Sequence, residues 1–309
     1  MRYFEALSDG GILLLTAAFV LLCGFAHYVH AESPTGIDGY VWLDADEEPL
    51  PLQDHETIQK WMRSARVISR EKVGRGVAGV DQLVLEHDSI RFRAAFRSVD
   101  VTARRSEPQG IENPRKKYRD AAIFESAAYA LSELLGIGRV PPVVKRTIDG
   151  QHGTVQIWME GVRPEVVLIQ GDQLHPPDTL RWKQQKQIMY VFDNLIANSD
   201  RNQGNLLIDR SWNISLIDHT RDFKRSSTLI YRDKLTQSER QLWASLQRVY
   251  EDALRSLLAP FLERQEISKL LTRRRLLISH IQSLINKHGE EQVLFDLRPP
   301  GGELANWTD

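Results

Sequence analysis

One cysteine, Cys23, is all that 309 residues contain, so the chain cannot form an internal disulfide. Charge of one sign is missing too. Forty Lys and Arg against 41 Asp and Glu give a formal net charge of −1, which gives a nucleic-acid partner no electrostatic footing. The 9 histidines show no HExxH or other metal-ligand spacing, which argues against a zinc centre. No repeat or low-complexity tract stands out, so a solenoid is excluded. Hydrophobic residues make up 42% of the chain, enough for a sizeable core, and the length suits one two-lobed domain with extensions.

Long apolar runs are scarce, and the clearest lies at the N-terminus. Ile12 to Phe25 spans 14 residues and precedes Val29-His30-Ala31, an A-x-A-like cleavage site. That length suits a signal peptide, whereas the 22 uncharged residues from Gly10 to Ala31 suit an uncleaved anchor. Residues 1–31 are expected to be one or the other. No Lys or Arg occurs between Arg2 and Lys60, while eight acids lie from Glu32 to Glu56. The positive-inside bias then places the body outside, exported or membrane-anchored, in a periplasm or secretory lumen. Residues 32–63, with the acidic stretch DADEEPLPLQD, read as a linker and lobe-packing segment.

The most informative stretch is Asp200 to Asp218, DRNQGNLLIDRSWNISLID. Asp200 precedes Asn205 by five residues, and Asp218 follows thirteen later. Two short apolar runs, Leu206–Ile208 and Ile214–Ile217, flank a turn-like Asp209–Asn213 and predict a hairpin. Upstream, Ile188, Val191, Phe192, Leu195 and Ile196 fall on one face of a helix over 181–197. Phosphoryl transfer needs a carboxylate to orient the attacking hydroxyl, plus oxygen ligands that hold Mg²⁺ against the phosphates. Helix, Asp loop, hairpin and Asp supply those parts in order.

Further upstream, Gln82–Glu86 and Ile90–Phe96 flank His87-Asp88-Ser89 and predict a second hairpin, ending at Arg97. Ahead of it, Gly74, Gly76 and Gly79 form a glycine-rich turn that reads either as a phosphate loop or as an ordinary bend. A helix is expected from about Lys117 to Leu135, stopped by Gly136 and Gly138. The basic residues Arg104, Arg105, Lys116, Lys117 and Arg119 read as a solvated face or as a dock for acidic substrates or headgroups. Val155 to Met159 reads as a strand running into a turn at Glu160-Gly161. The stretch from Ser238 to His288 is helical by its leucine and isoleucine spacing.

The segment VFDNLIANSDRNQGNLLIDRSWNISLIDHTRDF resembles the C-lobe core of atypical kinases, in particular secretory-pathway and phosphoinositide-kinase-like catalytic domains. YRDAAIFESAAYALSELLGIGRVPPVVKR resembles their N-lobe helix and the strand after it. The resemblance implies an α+β, two-lobed kinase-like fold, with N-lobe 64–160 and C-lobe 161–298; Pro299-Pro300-Gly301-Gly302 predicts a disordered tail over 299–309. It implies ATP and Mg as cofactors and an unknown phosphoacceptor. Asp200 would orient or deprotonate that acceptor, Asn205 and Asp218 would hold Mg²⁺, and Glu125 would pair with a phosphate-binding cation. The backbone near Met159 would meet adenine. This chain departs from the pattern where His219-Thr220 replaces Phe-Gly, where Asn202 replaces His, and where Arg97 replaces the strand lysine. Arg97 or Lys72 would supply the cation. An active kinase and a pseudokinase acting as a binding or scaffold module both fit these residues, as does a small-molecule phosphotransferase.

Overall fold

The computed structural model describes residues 39–73, 79–106, 112–301, Ala305 and Trp307, with backbone alone over 102–106 and 112–118. The signal or anchor segment, Gly74 and Gly76 lie outside the described residues. Helix α1 (His55–Ser64) is started by Asp54, whose carboxylate accepts the Thr57 N–H at 2.8 Å. Strands β1 (Arg66–Val73), β2 (Val80–His87) and β3 (Ile90–Arg97) follow as an antiparallel meander. A separate ribbon, β4 (Asp100–Ser106) with β5 (Glu112–Ala121), leads into helix α2 (Ile123–Leu135). Strands β6 (Val143–Ile148) and β7 (Gln151–Ile157) complete a five-stranded sheet in the order β1-β2-β3-β7-β6.

Strand alternation sorts the two faces of this sheet. Leu83, Leu85, Phe92, Ala94, Phe96, Val155 and Ile157 pack under Trp42, Leu50, and Ile58 and Met62 of α1 in one core cluster. Ala95 and Arg97, opposite Gln156 and Thr154, occupy the other face. A second cluster joins α2 to the helical half of the chain. There, β8 (Arg163–Pro164) leads to α3 (Thr179–Ile196), then to the hairpin of β9 (Leu206–Ile208) and β10 (Ile214–Leu216). Helices α4 (Arg240–Arg248), α5 (Glu251–Leu258) and α6 (Arg264–His288) close the unit.

The helix expected over 181–197 forms as α3. Asp178 caps it through the N–H groups of Leu180 and Arg181, and Ala197 ends it in the left-handed region at φ 57°. Its apolar stripe is buried as expected, each such side chain contributing about 1.5–3 kcal/mol. The helix expected from Lys117 starts instead at Ile123. Glu112–Ala121 pairs as a strand with β4, and the N–H groups of Ala121 and Ala122 go to the carbonyls of Thr220 and Val99. In the tail region expected to be disordered, Trp307 is buried and packs edge-on against Trp212 at 5.9 Å. Among the described residues no helix is long and apolar enough to cross a membrane.

Gly153 shows how closely β7 approaches β3. A Cβ there would lie 2.2 Å from the Arg97 carbonyl oxygen and 2.6 Å from the Phe96 ring. Gly153→Ala is expected to cost about 1–3 kcal/mol by overpacking. A denaturant midpoint that falls at constant slope would show it; a midpoint equal to wild type would mean the strand relaxes without cost.

Candidate active site

The Asp200 loop is built by short polar side chains that satisfy its own backbone. Asn198 Oδ1 accepts the Asp200 N–H at 2.9 Å, and Asn202 Oδ1 accepts the Gly204 N–H at 2.8 Å. Asn202, where the resemblance expects His, is therefore a loop brace. The Asp200 side chain stays 65% exposed, with Arg221 Nη1 3.9 Å from its Oδ2. The hairpin that follows turns on Asp209, whose carboxylate accepts the N–H groups of Ser211 and Asn213 and the Asn213 amide. This turn sets the register Ile208 to Ile214 and Leu206 to Leu216.

Closing the hairpin brings Asn205 and Asp218 together. The Ile217 N–H donates to the Asn205 carbonyl at 3.3 Å. Arg201 ties the same two strands from beneath. Its Nη1 donates to the carbonyls of Asn205 (3.2 Å) and Ile217 (2.8 Å), while Nε and Nη2 grip the Asp193 carboxylate. Both side chains of this ion pair are buried, at 2% and 0% exposure. Asp218 itself sits at φ 63°, a left-handed conformation that Asp tolerates better than branched residues. Neither Asn205 nor Asp218 uses its side-chain oxygens in a hydrogen bond among the described residues. The described residues contain no cluster of three His, Cys, Asp or Glu suited to a metal. Two uncommitted oxygen ligands fit a hard cation that draws its other ligands from phosphates and water.

Glu125, fully buried on α2, reaches the same place. Its Oε1 accepts the His219 N–H at 3.0 Å and lies 3.6 Å from Arg97 Nε. Arg97 and Glu125 therefore meet as an ion pair, and Arg97 Nε and Glu125 Oε2 are buried without a hydrogen bond. Lys72 is not brought here. It stands opposite Asp81, which stands opposite Phe96, so strand parity puts Lys72 on the sheet face away from Arg97. Gly79 directly precedes β2, whose Asp81 pairs with Phe96, the neighbour of Arg97 on β3. Met159 follows β7 with its side chain buried in the sheet's core cluster. Behind it Arg93 binds Glu160 through two hydrogen bonds of 2.6 and 2.8 Å, and burial still holds the Glu160 carboxyl above the usual carboxylate range.

Sequence reasoning gave no supporting role to four residues: Asp193, Arg201, His219 and Asp222. His219 Nδ1 lies 2.8 Å from Asp222 Oδ2 and Nε2 lies 3.3 Å from the Leu216 carbonyl. Burial pushes the imidazole down to about 4 and the Asp222 carboxyl up. The signal was present in DNLIANSDR, where an acid sits eight residues before an arginine on a helix-loop junction.

No family model and no curated protein matches the chain. Solved structures do. A hydra Fam20 solved with a sugar superposes at a TM-score of 0.57, with 15% identity, over 78% of this chain and 92% of that one. The Golgi casein kinase with Mn and ADP bound superposes at 0.53, with 14% identity, over 78% of each chain. With its small sheet and α2, its larger helical part and its loop–hairpin, this chain has the kinase-like fold of these two structures.

Proposed function

We propose that the chain is an atypical kinase that transfers the γ-phosphoryl group of ATP, with a divalent cation, to a hydroxyl acceptor. The observation that supports this reading is that the Arg201 guanidinium ties Asn205 to Ile217, next to Asp218, while the His219 N–H on its other side binds the Glu125 that faces Arg97. Asn205 and Asp218 would hold Mg²⁺ or Mn²⁺, which supplies charge neutralisation at the phosphates. Arg97 presents a planar fork where kinases present an ammonium, suited to two phosphate oxygens at once. The backbone at Met159 would meet the base. Asp200 would take the acceptor's proton as its oxygen bonds to the γ-phosphorus and the bond to the leaving ADP oxygen breaks. The acceptor is a hydroxyl of a protein, lipid or small molecule; the relative solved with a sugar keeps carbohydrate in that set. The apolar N-terminal run supports an exported or membrane-anchored body, in line with a neighbour named for the Golgi.

A second reading, a pseudokinase that binds nucleotide without turnover, draws on the 3.6 Å separation of Arg97 and Glu125, too long for a hydrogen bond. The deciding experiment is Mg²⁺-dependent ATP binding and ADP release by the full-length chain. Binding with release supports the kinase; binding without release supports the pseudokinase; absence of both rejects the nucleotide site. Within the kinase reading, Arg97→Ala and Glu125→Ala should each weaken ATP binding. The double mutant should be non-additive by about 0.5–3 kcal/mol, as for groups in one network. Strict additivity in calorimetric titrations would separate the two residues. Lys72→Ala should be nearly silent.

A further inference from the structure

We propose that Arg221 is the cation that meets the phosphoryl group in flight, an inference that rests on the kinase reading. Phosphoryl transfer spreads charge over the equatorial oxygens, and a positive group near the acceptor is needed to meet it. The loop Asp200–Asn205 offers Arg201 alone. That guanidinium is buried and engaged by Asp193 and two carbonyls, so it faces away from the cleft. The cation must come from elsewhere.

Arg221 stands three residues after Asp218 with its side chain 38% exposed. Its Nε donates to Asp120 Oδ2 at 2.7 Å, and its Nη1 lies 3.9 Å from Asp200 Oδ2. Asp120 is a firm holder. It is 7% exposed, and the neighbouring Ala121 N–H donates to the Thr220 carbonyl, so the end of β5 and the segment after Asp218 are stitched side by side. The carboxylate of Asp120 thus aims the guanidinium past the candidate base. An acceptor oxygen bonded to Asp200 lies about 2.6–3.2 Å from that carboxylate. A guanidinium 3.9 Å from the same oxygen atom overlaps the space where the phosphoryl oxygens arrive. Of the other cations of the segment, Arg225 pairs with Glu263, and Lys224 Nζ donates to Ser199 Oγ beside Asp200, which makes Lys224→Met the control.

The test uses the full-length chain with Mg²⁺ and ATP, reading ATP affinity by calorimetry and ADP release by rate. Arg221→Met should lower kcat by about 10²–10³-fold, the loss typical of one removed transition-state donor, with ATP affinity within about twofold of wild type. Arg221→Lys should recover part of kcat, because it keeps charge and loses only the fork. Asp120→Asn should lower kcat less than Arg221→Met, and adding it to Arg221→Met should cost nothing more. A purely structural tie between β5 and the Asp218 segment predicts the reverse: Asp120→Asn and Arg221→Met equally harmful, ATP binding and thermal stability falling with kcat, and no rescue by Lys. That pattern, unchanged kcat in Arg221→Met, or a larger loss in Lys224→Met overturns the assignment. A wild-type chain that binds ATP and releases no ADP removes the kinase reading itself, and the role of Arg221 with it.

Discussion

Asp218→Asn is expected to abolish metal-dependent nucleotide binding. The substitution keeps size and hydrogen-bonding capacity but removes the full negative charge at the only carboxylate of the candidate ligand pair. A hard divalent cation bound by few protein ligands depends on each of them, because its remaining ligands are phosphates and waters. The backbone around residue 218 is held independently of the carboxylate, through the Ile217 N–H and carbonyl and the His219 N–H to Glu125. Folding should therefore survive, and the loss should appear as disappearance of the thermal shift given by Mg²⁺ with ATP, about 2.7 kcal/mol for a ligand at a hundred times its Kd. Persistence of that shift would remove Asp218 from the metal site.

Asp200→Ala should separate chemistry from binding. Its side chain is 65% exposed and accepts no backbone hydrogen bond among the described residues, so the loop does not depend on it. The loop conformation rests on Asn198 and Asn202. ATP affinity should stay close to wild type while ADP release falls by ~10²–10⁴-fold, the usual contribution of a positioned acid or base. Parallel loss of affinity and rate would make Asp200 a ligand or a structural residue.

Much of this arrangement was legible in the residues. The stripe of Ile188, Val191, Phe192, Leu195 and Ile196 has one helical solution, and the runs flanking Asp209–Asn213 have one hairpin solution, so Asp200, Asn205 and Asp218 fell into place. The expectation that Arg97 meets Glu125 came from the family resemblance, and the two side chains lie 3.6 Å apart. Lys72, the alternative cation, lies on the sheet face away from Arg97, which the residues alone could not tell: a face assignment needs the register across two strand pairings, and one residue of slip reverses it. The start of α2 was misplaced because β5 draws its strand conformation from pairing with β4, a tertiary effect that outweighs local helix signals. Arg201 escaped notice since its partners, the Asp193 carboxylate eight residues back and the carbonyls of Asn205 and Ile217, meet it only once the loop and hairpin close.

The contact between Glu125 and His219 has a kinetic meaning. One carboxylate oxygen serves both the amide that follows Asp218 and the guanidinium of Arg97. A swing of α2 by a single ångström would then disturb the proposed cation-binding end and the proposed phosphate-anchoring end together. Intermediate settings, with one half assembled and the other not, are penalised by the geometry. Whatever pushes on α2 from outside would act as an on–off control with few half-active states.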